Sequence, residues 1–275
     1  EKFWGPLSVW ALAVKDRGNQ SECLDNLISK IPKNIYEKSL TINEEVTKLN
    51  NSYDALNLAT HALHLFGIKS DISVIELWPS RGWWSEILAP FLAAEGNYVG
   101  AGLDPNYASW TPKAIKRNAD IRANSKTFSD MKVITLSLDN KPLGEKNSVD
   151  MVLTFRNTHN WIKYGGVENI YQTFHRVLKK GGILGVVQHR ANHEDNVKET
   201  AKNGYVPESY LINLAEEIGF ELIEKSEINA NPNDNKNHPK GVWMLPPTLR
   251  LGDTDKKKYI EIGESDRMTL KFIKL

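Results

Sequence analysis

The chemically densest run of the chain is Arg156-Asn-Thr-His-Asn-Trp161. A guanidinium, two amides and an imidazole directly follow residues 149–155, an apolar stretch that reads as a buried strand. So many polar groups just beyond a buried strand are a poor choice for packing alone. His159 is the nearby side chain with a reference pKa near neutrality, which makes it a candidate general base. Asn157 stands at the strand end, in reach of a cofactor or a substrate. A structural reading competes: Asn157 and Asn160 staple a turn and Trp161 lids the core. His189 ends a later apolar run and, on topology, faces the same crevice. His193 follows at a spacing that binds metal on a helix. Here the pair straddles a strand end and no third ligand is evident, so no metal site is expected.

Three further strand-like runs end near acids: Glu76, Asp104 and Asp139. In open α/β sheets, ligands bind beyond the carboxyl ends of the strands. An acid after the second strand suits the two hydroxyls of a ribose. An acid after the third can accept from an adenine amino group. Either can also simply cap the next turn. The loop after Glu76 reads Trp78-Pro-Ser-Arg-Gly82 and leads into Trp83-Trp84, which pack into the core or line the pocket.

The elements that must position these groups alternate. Strands are expected at 73–78, 98–103, 132–138, 149–155, 183–188, 220–227 and 268–273. Helices are expected at 85–94, at 111–122 with Pro112 in the first turn, at 167–179 stopped by Gly181-Gly182, and at 207–218 ended by Gly219. This alternation argues for a mostly parallel sheet covered on both faces. Residues 1–70 read as a helical extension. Ser21 caps one segment, stopped by Pro32. Ser52 or Asp54 caps another, with Leu56, Ala59, Leu63 and Phe66 at helical spacing and Gly67 closing it. Residues 71–275 form the main domain, and 229–266 is a long polar loop inserted between the last two strands. His238, Trp243, Pro246 and Pro247 in that loop are candidates for a substrate cover, or they pack on the N-terminal helices. Lys256-Lys-Lys258 is expected to be a solvated face.

The chain has 275 residues and a net charge of +1, so no global field favours nucleic acid or an anionic membrane. Its single cysteine, Cys23, excludes an internal disulfide framework and a cysteine-based zinc cluster. No run is apolar for the length of a membrane span.

At Glu76 and its loop the chain resembles the class I S-adenosylmethionine-dependent methyltransferases, whose first motif is an acid followed by three glycines at alternate positions. Laid on this chain, the acid is Glu76 and the slots are Trp78, Ser80 and Gly82. The second motif is similar at Val99-Gly-Ala-Gly-Leu-Asp104. Residues 148–157 resemble the family's fourth strand, and 174–184 the helix, turn and strand that follow. A narrower resemblance is to a bacterial group of predicted, mostly uncharacterised methyltransferases. It rests on Trp78-Pro79, Trp83-Trp84, Glu86-Ile-Leu-Ala-Pro90, Arg156–Trp161 and the tail Ile262–Leu270, and covers residues 50–275. Where that group has glycines after the proline, this chain has Ser80 and Arg81.

The resemblance implies a Rossmann-like seven-stranded sheet, mostly parallel with the last strand antiparallel, and helices on both faces. It implies S-adenosylmethionine as cofactor, held by Glu76, Trp78, Ser80, Gly82, Asp104, Asp139, Arg156 and Asn157. His159, His189 and Asn157 are then the catalytic candidates, and a small molecule is the expected methyl acceptor. The alternative is a non-catalytic ligand-binding protein on the same scaffold. A nicotinamide-dependent oxidoreductase is disfavoured, because Pro79-Ser-Arg-Gly82 does not supply the Gly-x-Gly-x-x-Gly turn. Cofactor supply favours the cytoplasm, whereas Glu1 is compatible with a processed, exported chain. Oligomeric state is not legible.

Overall fold

The computed structural model describes residues 61–139 and 141–275. The expected caps Ser21, Ser52 and Asp54, and every other expectation on residues 1–60, lie outside the described residues. Seven strands form one sheet: β1 (Ser73–Leu77), β2 (Asn97–Leu103), β3 (Lys132–Leu136), β4 (Val149–Phe155), β5 (Leu178–His189), β6 (Phe220–Ser226) and β7 (Arg267–Lys274). Their order is β3-β2-β1-β4-β5-β7-β6. Pairs among β1 to β5 are parallel, while β7 runs antiparallel between β5 and β6.

The central strands are apolar on both faces because helices cover both. Ile75, Leu77, Val99, Ala101, Val152, Leu184 and Val186 point to one side. They meet α4 (Val167–Val177) and α6 (Glu208–Ile218), with Ile170, Phe174, Leu211 and Ala215 all fully buried. Each such side chain contributes roughly 2 kcal/mol of apolar burial. Val74, Tyr98, Met151 and Leu153 alternate to the other side. They meet α1 (Ser85–Leu92) through Ile87, Leu88 and Phe91, and the helical residues 61–66 through Ala62, Leu63 and Phe66. Gly67 closes that helical turn in the left-handed conformation, φ 78°, donating to the carbonyls of Leu63 and His64. Gly185 in β5 admits the Phe66 ring: a Cβ there would lie 2.8 Å from Phe66 Cδ2.

Two expectations are corrected. Gly181-Gly182 does not stop the fourth helix, which ends at Val177; β5 begins at the next residue. The glycines sit inside that strand, where the β4–β5 register shifts between Val149 and Met151. Residues 229–266 also carry structure of their own, a 3₁₀ turn at Gly241–Met244 and α7 (Lys256–Ile262). Lys256, Lys257 and Lys258 are exposed, as a solvated face requires. The remaining helices are α2 (Thr111–Ala123), α3 (Thr158–Lys163) and α5 (Val197–Thr200). Among the described residues no helix is long and apolar enough to cross a membrane.

Chain direction across the sheet reverses between β1 and β4. A crevice therefore opens beyond the carboxyl ends of these two strands.

Candidate functional site

The loop leaving β1 forms the crevice floor. Trp78, Ser80 and Gly82 all have positive φ, at 46°, 51° and 85°. These are the three alternate slots where glycine is the residue of lowest cost. The backbone thus keeps the course of a glycine loop, although two of its residues are not glycine. Each non-glycine in that region costs roughly 1 to 2 kcal/mol. Trp78 offsets this by burying its indole edge-on against Tyr107 and Trp161, with centroids 4.8 and 5.7 Å away. Ser80 and Arg81 are exposed. Gly82 lies under the Phe128 ring; a Cβ there would come within 2.3 Å of Phe128 Cζ.

The carboxylate of Glu76 is buried beneath the loop. It accepts from the hydroxyls of Tyr98 and, at 3.3 Å, Ser85. Burial pushes its pKa up to about 7, against those two hydrogen bonds. Asp104, at the end of β2, accepts from the Asn106 N–H at 2.8 Å through one oxygen. The turn-capping role is therefore present, but among the described residues the second oxygen has no hydrogen-bond partner. Asp139 lies past the end of β3 and is exposed.

Asn157 heads α3 without capping it. Its side chain instead crosses to β1, donating to the Leu77 carbonyl at 2.9 Å. Trp161 is fully buried in the core, as the lid reading had it. Beyond the end of β2 stand two aromatics that sequence reasoning missed, the buried Tyr107 and the exposed Trp110. Tyr107 donates to the Asn160 carbonyl at 3.0 Å and packs against Trp110 and Tyr164 at 6.0 and 4.6 Å. Their signal was readable: Asp104-Pro-Asn-Tyr-Ala-Ser-Trp110 sets two aromatics just after a strand-end acid. The indole N–H groups of Trp78 and Trp161 are buried without an acceptor. Trp84 stacks on Phe155 at 3.7 Å, and Trp83 packs edge-on against Trp84, so both side chains serve packing.

The second half of the site lies at the ends of β4, β5 and β7. Arg156 has φ 63° and donates its backbone N–H to Val187 at 2.7 Å. Its guanidinium lies among β5 and β7 groups, close enough to Arg267, Glu264, His159 and His189 for their charges to couple. His159 and His189 come together, ring centroids 5.9 Å apart. Gln188 sits between strand and ring: its amide nitrogen donates to the Gly204 carbonyl at 3.0 Å and lies 3.3 Å from His159 Nδ1. The carbonyl orients the amide, so Nδ1 accepts and the His159 proton resides on Nε2. Burial lowers the His159 pKa to about 4, and Arg156 adds to the effect. Burial and the charges of His159, Arg156 and Arg267 hold His189 well below its usual value. His189 Nδ1 is 2.5 Å from Ser265 Oγ. Both imidazoles are neutral at neutral pH.

Within the long loop the candidate cover divides. Trp243 reaches His159, ring centroids 5.9 Å apart, with the Arg250 guanidinium over its other side. His238 is structural, buried and 2.8 Å from Asp234. Pro246 is half-buried and Pro247 exposed. Asp234 also accepts from Tyr205 and from the Asp266 N–H, while Asp266 pairs with Arg190 at 3.0 Å. This network ties the loop to the sheet. His193 is exposed and pairs with Glu194. Among the described residues no cluster of His, Cys, Asp or Glu could hold a metal ion. A cavity of about 570 Å³ lined by Lys146, His175, Arg176 and Lys274 lies at the opposite end of the sheet, away from the strand carboxyl ends.

No protein-family profile matches the chain, and no curated protein matches it in sequence. Solved structures share its architecture at low identity. A SAM-dependent methyltransferase from Aquifex aeolicus aligns with a TM-score of 0.52 and 12% identity, covering 78% of this chain and 89% of its own. The [4+2]-cyclase SpnF aligns at 0.52 and 13%, covering 81% of each chain. The MccD protein aligns at 0.52 and 13%, covering 80% and 96%. The chain has the fold of the class I S-adenosylmethionine-dependent methyltransferases.

Proposed function

We propose that this chain transfers the methyl group of S-adenosylmethionine to a small-molecule acceptor. The observation that carries this reading is the left-handed course at Trp78, Ser80 and Gly82, directly after an acid and at the sheet's switch point. That course lets backbone N–H groups approach a ligand closely, even where the side chains have changed. The residues present suit the cofactor. Asp104 has an unengaged carboxylate oxygen for ribose hydroxyls, Tyr107 offers an aromatic face, and Trp78 an unsatisfied N–H.

When bound, the cofactor supplies an already activated methyl group. The chain's own residues must then align the acceptor and exclude water, which is a proximity effect. Tyr107, Trp110 and Tyr164 roof the crevice. Asn157 holds the ends of β1 and β4 together. His159 offers its Nε2–H as a donor to the acceptor. His189 is the candidate base in the tautomer whose Nδ1–H donates to Ser265, which leaves its Nε2 lone pair for the acceptor's proton. A near-neutral chain lacks the basic surface of most nucleic-acid methyltransferases, which favours a small acceptor.

A second reading is ligand binding without methyl transfer. The bulk of Trp78 in a glycine slot favours it, and so does the presence of a cyclase among proteins of this fold. Calorimetry with S-adenosylmethionine and S-adenosylhomocysteine tests both. We expect saturable binding of each, weakened about tenfold or more by Asp104→Ala through lost hydrogen bonds. No binding at millimolar cofactor would refute the reading. Binding without methyl transfer to any acceptor in a broad screen would favour the second.

A further inference from the structure

Three neighbouring strands end in one polar row. Arg156 continues β4 beyond the Phe155–Val187 pair. His189 ends β5, and its register partner across the antiparallel pair is Arg267, the first residue of β7. Adjacent strands lie about 4.8 Å apart, so the two arginines start about 10 Å from each other, a span two long side chains can close from both sides. Asn157 turns the opposite way, to Leu77 of β1. The arginine row is therefore on the far side of the crevice from the glycine-type loop.

Among the described residues the charges in this row do not balance. Arg267 pairs with Glu264 at 2.6 Å through Nη1, but its Nε is buried and has no acceptor. Among the described residues the guanidinium of Arg156 forms no ion pair and no hydrogen bond. Burial and Arg267 both act against its charge. Nearby acids are committed elsewhere. Asp266, adjacent to Arg267, is held by Arg190 at 3.0 Å and Lys236 at 3.1 Å. Asp234 is held by Tyr205 and His238. His159 and His189 are neutral. Two guanidinium groups thus face one carboxylate. A half-buried cation without a partner is unfavourable, and arginine's planar fork matches the oxygens of carboxylate and phosphate.

We propose that Arg156 and Arg267 seat an anionic oxygen group, a carboxylate or a phosphate, carried by the methyl acceptor. The word acceptor rests on the methyl-transfer reading; the anion seat does not. The cofactor's own carboxylate is the competing occupant, and the test separates the two.

Binding to the full chain is measured by calorimetry and thermal shift, with and without saturating S-adenosylhomocysteine. The probes are inorganic phosphate, benzoate and neutral benzyl alcohol, at constant ionic strength in sodium chloride. Phosphate or benzoate should bind saturably and raise the melting temperature where benzyl alcohol and added chloride do not. Which of the two binds tells phosphate from carboxylate. Arg156→Gln should weaken the anion about tenfold or more, and Arg156→Lys, which keeps the charge but not the fork, by less. S-adenosylhomocysteine affinity, measured in parallel, should fall by less than anion affinity in both variants. The seat is overturned if neither anion differs from chloride in a chain that binds S-adenosylhomocysteine. It is also overturned if Arg156→Gln costs S-adenosylhomocysteine affinity and leaves the anion untouched. Anion binding that Arg156→Gln abolishes, in a chain that never binds S-adenosylhomocysteine, upholds the seat and removes methyl transfer instead.

Discussion

Asn157 and Leu77 are 80 residues apart in sequence, yet the Asn157 amide donates to the Leu77 carbonyl at 2.9 Å across the mouth of the crevice. The bond joins the ends of β4 and β1, the two strands between which the topology reverses. It also explains why Asn157 does not cap α3, which it heads: the side chain is already engaged. Asn157→Ala should cost about 1 kcal/mol of stability, the value of one hydrogen bond in a half-buried setting. It should weaken S-adenosylhomocysteine by up to about fivefold by loosening the crevice, since about 1 kcal/mol is a factor of roughly five. Denaturant melts and calorimetry on the same preparation check both numbers. Lost stability with undiminished affinity would make the residue structural only.

The strained loop makes a sharper prediction because its neighbours differ. Ser80 is exposed with φ 51°, whereas its exposed neighbour Arg81 is not in the left-handed region. Ser80→Gly should stabilise by up to about 1 kcal/mol, the relief of left-handed strain less glycine's entropic cost. Arg81→Gly has no strain to relieve and should destabilise by roughly 0.5 to 1 kcal/mol. Trp78→Gly relieves strain but removes a buried indole. It should lose roughly 3 kcal/mol or more, the usual cost of a large core truncation. Equal effects at Ser80 and Arg81 would mean that the backbone course is not what these positions constrain.

Much of this fold is legible in sequence, because parallel strands buried on both faces must be apolar runs and their ends must turn. Residues 149–155 illustrate it, with strand bounds that match the expectation. Gly181-Gly182 shows the limit. A double glycine after a helix is the same signal for a helix cap and for a strand irregularity, and only pairing with β4 decides between them. At the site, His159, His189 and Asn157 stand out by residue type. Arg267 does not, because its relation to Arg156 exists only through the β5–β7 pairing. The long loop is similarly opaque: its anchors Arg190, Asp234 and Asp266 find each other at separations of 32 and 76 residues, with no local period to betray them.

Glu76 should make stability depend on pH. Its pKa is raised from 4.5 to about 7 in the folded chain, chiefly by burial. Between these values the folded state holds a proton that the unfolded state has released. Stability from this group is therefore full below about pH 4.5 and is lost as pH rises through about 7. The loss approaches about 3 kcal/mol, at 1.36 kcal/mol per unit. Glu76→Gln keeps an acceptor for Tyr98 and Ser85 but cannot ionise. Relative to wild type it should gain stability between pH 5 and pH 8, measured by denaturant titration at both. A constant difference between the two chains would show that Glu76 is ionised in both states.

His159 works in the opposite sense. Burial holds its pKa near 4, below the ordinary 6.5. The unfolded chain therefore takes up a proton that the folded one refuses, and stability falls as pH drops from about 6.5 to about 4. His159→Gln should flatten that limb and leave stability above pH 7 little changed. The same neutrality shapes the rate profile. With its proton on Nε2 and Nδ1 engaged by Gln188, His159 donates a hydrogen bond rather than accepting a proton. Methyl transfer should then show no ionisation near pH 6.5 that His159→Gln removes. Loss of activity in His159→Gln should appear at all pH values alike, as removal of a donor would. A break near pH 6.5 that vanishes in the variant would instead make His159 the base, with a pKa closer to its ordinary value in the working enzyme. Replacing His189 separates the two histidines further. If His189 takes the acceptor's proton, His189→Gln should lower kcat far more than it raises KM, and raising the pH should partly restore the rate by ionising the acceptor in solution.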